Sequence, residues 1–250
     1  MITNYILKLN FSMVGFSGVI SNAKDVSYNI GLRNYMLGVY NYMTLALALS
    51  GIVAYLSAYS GITHLMLSSP LGIIVSFSPL IVSIVMSVKI NSAKISTVKA
   101  LYFTYAVLMG LSMSTIFLAF GGLLIAKTFF ITASMFGAIS IYGYTTKKDL
   151  SGYGHILTMI VIGLLIASIV NIFTHSTGLQ FGISCISVIV FSLLVAYDTQ
   201  NLKRTYYSVC HNQDLAIRCG IFGALQIYID FIAIFIHLLQ IFASTQGKRD

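Results

Sequence analysis

Seven stretches of about twenty predominantly apolar residues, joined by short segments that carry most of the charge, fill this chain from residue 36 to residue 244. They lie near 36–58, 70–88, 100–121, 124–144, 155–174, 178–200 and 219–244. A helix rises about 1.5 Å per residue, so roughly 20 residues cross the ~30 Å of bilayer hydrocarbon. Lipid offers no hydrogen bonds, so each crossing must satisfy its own backbone, and stretches of this length do so as helices. The expected fold is therefore all-α integral membrane, with seven transmembrane helices. Composition agrees: 58% apolar and 8% charged residues in 250 leave far more apolar surface than one soluble core can bury. Residues 1–31 are expected to form a cytoplasmic N-terminal segment and 32–250 the seven-span membrane domain. Ser12, Gly15, Ser17 and Gly18 interrupt the apolar run of the first segment and no clear small-residue cleavage site follows, so a cleaved signal peptide is not expected.

The net charge of +8 would suit nucleic acid if it clustered on a soluble face, but here it is spread between apolar runs and reads as topology. With the N-terminus in the cytoplasm, eleven basic residues fall inside (Lys8, Lys24, Arg33, Lys89, Lys94, Lys99, Lys147, Lys148, Lys203, Arg204, Arg218) and three outside (Lys127, Lys248, Arg249). That asymmetry sets the orientation. From Cys219 to Ser244 the last stretch reaches about 39 Å as a helix, enough for a full crossing rather than a re-entrant segment. Tyr35, Tyr59, Tyr144 and Tyr206 near span ends suit interfacial belts. Cys185, Cys210 and Cys219 form no CxxC pair, so neither a disulfide framework nor a zinc ribbon is implied.

Two residues contradict the apolar pattern. Of six side-chain carboxylates, all Asp, four fall in loops or tails, while Asp198 and Asp230 lie in spans six and seven. Each costs about 2.5–3.5 kcal/mol at a helix centre, so a fold carrying both needs partners, protonation or water to offset them. At 100° per residue Gln226, Asp230, His237 and Gln240 share an arc of roughly 80° on span seven, with Ile227, Phe231, Phe235 and Leu239 elsewhere. Such a seam should face into the bundle, which puts span seven at its centre or along a cavity. Ser184, Ser187 and Asp198 share a face of span six by the same count. The two acids belong to the inner half of the membrane and can meet. Close carboxylates in a low dielectric share a proton, which makes them a candidate pH sensor. Their oxygens number at most four, short of the six to eight that calcium takes, so transient passage fits better than tight storage. A proton-shared bond that merely locks two helices is the alternative reading.

Gly38 to Tyr55 (GVYNYMTLALALSGIVAY), Phe129 to Gly154 (FFITASMFGAISIYGYTTKKDLSGYG), Ala196 to Lys203 (AYDTQNLK) and Leu225 to Leu239 (LQIYIDFIAIFIHLL) resemble the Bax inhibitor-1 family, its bacterial branch above all. The resemblance extends from about Gly31 over the rest of the chain. It implies a central seventh helix wrapped by six others, a bacterial inner-membrane location, and a pH-sensitive calcium leak with no tightly bound cofactor and no enzymatic activity. It makes Asp198 and Asp230 the paired acids that meet calcium in transit. The family places a basic residue, usually Arg, at the cytoplasmic end of span two. Here the nearest match is Lys89 in VMSVK, which lacks the bidentate fork of Arg and would equally serve as a positive-inside anchor. Gln226 and His237 are candidate pore-lining residues, although an ordinary helix contact also accounts for His237.

Two rival functions remain. The resemblance also implies an interaction protein that modulates membrane proteases or, in eukaryotes, cell death, with the aspartates structural. An intramembrane aspartyl protease is the weaker rival: Tyr197–Asp198 matches one half of the presenilin pattern, but Asp230 sits in IYID rather than GxGD. A rhomboid-like GxSG at Gly15 to Gly18 precedes the first convincing span, and a chain without Glu has no HExxH.

Overall fold

The computed structural model describes residues 2–246, and side chains over residues 30–245 other than residue 71. It contains eight helices and no strand among the described residues: α1 (Ile2–Tyr59), α2 (Ile62–Leu67), α3 (Leu71–Lys89), α4 (Ile95–Ala119), α5 (Gly122–Thr145), α6 (Tyr153–Thr174), α7 (Thr177–Val209) and α8 (Gln213–Gln246). Seven are long and apolar enough to cross a membrane, α1 from Ile30 onward and all the others except α2. The seven expected crossings are thus α1 and α3 to α8. The protein is a multi-pass membrane protein. The expected N-terminal segment begins α1, and its side chains lie outside the described set.

The helices outrun the apolar stretches that announced them. The first span lies within a helix that already runs from Ile2, α7 continues nine residues past 200, and α8 starts at Gln213 rather than 219. Apolarity marks where hydrocarbon lies, whereas a helix continues into the headgroup region for as long as its backbone bonds are favourable. The short α2 was not anticipated; Gly61, at φ +79°, supplies the left-handed residue that turns the chain out of α1. Within α3, Pro79 has no N–H to offer the Val75 carbonyl, and the Ser78 hydroxyl donates to that oxygen instead at 2.7 Å.

The seventh span is the centre of the bundle. Of its most apolar 18 residues 67% are buried, against 11–33% of the corresponding 18 in each of the other six. Helix α8 packs on α7, α1, α5 and α4, while α3 leans mainly on α4, and α6 mainly on α7. Accordingly α3 and α6 present Ile73, Phe77, Leu80, Met159, Leu165 and Phe173 outward, which is the natural surface for lipid. Around α8 the core includes Tyr102, Ile227, Tyr228, Phe231, Ile234 and Leu239. Since α8 is covered on most sides, its apolar face is as buried as its polar seam, a fuller enclosure than the seam alone demanded.

Candidate functional site: an acid pair between the sixth and seventh spans

Asp198 on α7 and Asp230 on α8 are 9% and 4% exposed, and their carboxyl groups lie close enough to interact. Ionised carboxylates only accept, so a bond between the two requires one shared proton. The helix extensions are what preserve the meeting. Asp198 lies eleven residues before the end of α7 and Asp230 seventeen after the start of α8. Both sit farther from their helix ends than the apolar stretches implied, because the α7–α8 connection lies beyond both stretches. No donor reaches Asp230 Oδ2 and no basic side chain pairs with either acid among the described residues. Close packing holds the pair in place: a Cβ on Gly143 of α5 would sit 2.5 Å from the Ala196 carbonyl oxygen, so only Gly lets α5 approach α7 two residues before Asp198.

The other expected residues distribute differently. Lys89 is exposed at the end of α3 and forms no ion pair with the acids. Gln226 is half-buried one turn before Asp230. His237 is partly buried, lies against the Phe191 ring with centroids 6.3 Å apart, and lines a 220 Å³ cavity with Ser168 and Ser187. Ser187 lies on the α7 face of Asp198 nearer the start of α7, so this cavity lies on that side of the pair. Toward the other end, a 630 Å³ cavity is lined by Asn34, Tyr206 and Gln213 among others.

Two polar clusters escaped the sequence reading. Toward the α6–α7 connection, Gln240 of the seam accepts from Gln180 Nε2 and from the Ser184 hydroxyl, both at 2.8 Å, and Gln180 Oε1 accepts from Asn171 Nδ2 at 2.8 Å. This chain ties α6, α7 and α8 together. Gln180 and Asn171 sit inside apolar runs, and that displacement was the available signal. Below the acids, Gln200 receives the Leu150 amide at 2.8 Å and donates to the Lys148 carbonyl at 2.7 Å, so the segment between α5 and α6 is pinned to α7. Arg204 pairs there with Asp149, which also accepts from the Ser151 hydroxyl and amide. These Ser151 bonds, with Arg204 beside them, lower the Asp149 pKa to about 2. Arg218 donates to the carbonyls of Ile90, Asn91 and Ala93 at 2.8–3.2 Å and so closes the end of α3.

The pattern of the family described as "Inhibitor of apoptosis-promoting Bax1" matches residues 32–247, which takes in every span and both acids. The chain belongs to the Bax inhibitor-1 family. Among its relatives is the inner membrane protein YbhL of Escherichia coli strain K12, 41% identical over 86% of this chain and 93% of that protein. A Caulobacter vibrioides protein is 42% identical over 90% of this chain and 93% of its own length. One from Rickettsia prowazekii is 40% identical over 88% and 93%. The family match leaves out the N-terminal segment, residues 1–31.

Proposed function

We propose that this family member is a pH-sensitive calcium leak of the bacterial inner membrane, gated at the Asp198–Asp230 pair and oriented with its N-terminus in the cytoplasm. The observation that carries the reading is an acid pair buried between α7 and α8, with one cavity lined farther along α8 by His237 and another lined nearer its start by Gln213 and Gly220, neither of which the acids reach. With the proton held, the two carboxyls close the path between the Ser187–His237 cavity and the Asn34–Gln213 cavity. On losing it the two carboxylates repel and become a cation site, with water and backbone carbonyls completing the shell of a calcium ion in transit. Lys89 has no part in this closed arrangement, so the proton does the work that the resemblance assigned to a basic partner. The relative named as an inner membrane protein supports the location. No step in this reading is enzymatic.

A structural role, with the protein acting on membrane proteases or other partners, is favoured by the completeness of the burial. Calcium flux into liposomes holding the purified protein, measured from pH 5 to 8 for wild type, Asp198→Asn and Asp230→Asn, separates the readings. Asn keeps shape and hydrogen bonding but cannot ionise, so both variants should stay folded, with melting temperature in detergent held or raised, and should lose the pH response. Wild-type flux and pH dependence in both would leave the acids structural.

A further inference from the structure

We propose that the groove between α1 and α5 binds an anionic phospholipid, with the phosphate on Arg33 and one acyl chain laid along the bundle. The site is separate from the acid pair and its test needs no calcium flux. Helices α1 and α5 both pack on α8 but make no extended contact with each other, and the gap between them is a 720 Å³ cavity floored by Phe231. Its walls are apolar for most of their length, with Met36, Met43 and Leu47 on one side and Phe129, Ala133 and Phe136 on the other. A second cavity of 300 Å³ shares Leu47, Phe129 and Phe231 and prolongs the gap toward Phe117. From Arg33 to Leu47 the groove follows α1 for about 21 Å, somewhat more than the ~15 Å depth of one leaflet of hydrocarbon.

The polar groups at this groove are few and uneven. Thr44 is satisfied by the Tyr40 carbonyl at 2.9 Å, and the Tyr40 hydroxyl lies 3.5 Å from that of Thr199. Two groups lack partners among the described residues: the Arg33 guanidinium at the mouth, and the hydroxyl of Ser140, a residue only 6% exposed. A second cation stands by, since Lys203 Nζ lies 4.8 Å from the ring centroid of Tyr144, which lines the same end. An unpaired guanidinium at the headgroup level above a long apolar slot matches an amphiphile with an anionic head, and Arg engages phosphate through two parallel bonds. A second copy of this chain fits poorly. It carries +8, and of its two exposed acids among the described residues, Asp149 and Asp214, the first is already paired with Arg204.

The test reconstitutes the full chain in phosphatidylcholine vesicles doped with a photoreactive phosphatidylglycerol or, separately, a photoreactive phosphatidylcholine of the same acyl chain, and maps the crosslinked residues. The phosphatidylglycerol probe should label α1 and α5 about fivefold more than the phosphatidylcholine probe, the equivalent of the ~1 kcal/mol that one basic residue contributes near an anionic lipid surface. Arg33→Gln should erase that preference. Gly137→Leu should suppress labelling by both probes: a Cβ at Gly137 meets nothing within 4 Å, so the larger side chain fills the slot without a clash, whereas Gly163→Leu on α6, equally open, should change nothing. Equal labelling by the two lipids, a preference that survives Arg33→Gln, labels spread over α3 and α6, or crosslinks between two copies would each overturn the proposal. Should Gly137→Leu lower the melting temperature, Arg33→Gln at the exposed mouth carries the test alone.

Discussion

Asp149 and the Asp198–Asp230 pair show how far a carboxylate's surroundings decide its behaviour. Asp149 is exposed in a loop, where the Ser151 hydroxyl and amide, and then Arg204, hold its pKa at about 2. A carboxyl lowered from its ordinary value near 3.9 contributes stability that is complete above that value and is lost only as pH falls through the folded one. Its loop latch therefore stays ionised throughout pH 5 to 8 and cannot supply a pH response in that window. Asp149→Ala should speed amide hydrogen exchange in residues 148–152 and leave the pH midpoint of calcium flux where wild type has it. A midpoint moved by a full unit would transfer the sensor from the buried pair to this loop. No basic side chain pairs with Asp198 or Asp230 among the described residues, and in the proposed reading a shared proton takes the place of a countercharge.

Between elements, polar side chains do work that apolar contact cannot do in lipid, where hydrocarbon is as favourable a neighbour as another helix. The Asn171–Gln180–Gln240–Ser184 chain joins three helices near the α6–α7 connection, and the Gln200 bonds hold the α5–α6 segment on α7 near the opposite end. Interhelical bonds of this kind average about 0.6 kcal/mol and reach about 1.7. Gln240→Leu removes the acceptor of two of them, so it should cost about 1–2 kcal/mol, partly through the unpaired groups left behind. Gln180→Leu should cost a similar amount, and the double variant distinctly less than the sum. A denaturation series on the four proteins in mild detergent measures the coupling. Strict additivity would show that the two amides stabilise their helices separately.

At the scale of the whole molecule, seven crossings put the two termini on opposite sides of the membrane, and eleven of fourteen basic residues fall on the side of the α3–α4, α5–α6 and α7–α8 connections. Positive residues stay in the cytoplasm during insertion, so those connections should be internal. Ser92 is exposed in the first of them. A cysteine placed there should resist a membrane-impermeant maleimide in intact cells and react readily in inverted vesicles. Efficient labelling in intact cells would reverse the orientation and, with it, the side on which the Arg33 end of the lipid groove opens.

Fold class, the number of crossings and the two site acids were all legible along the chain, because each rests on a local cost: about 20 apolar residues can only be a span, and an acid inside one is conspicuous against them. The centrality of α8 was partly legible in the seam of Gln226, Asp230, His237 and Gln240, since a polar stripe cannot face lipid cheaply. Lys89 shows the limit. A basic residue at a span end reads the same whether it anchors to headgroups or turns inward, and the fold leaves it exposed and unpaired. The partners of Gln240, the pinning of Lys148 and Leu150 by Gln200, and the gap between α1 and α5 join residues 50 or more positions apart. Periodicity records which face of one helix is polar or small, but which faces meet depends on how seven helices pack together around the eighth element of the chain, and no single helix carries that information.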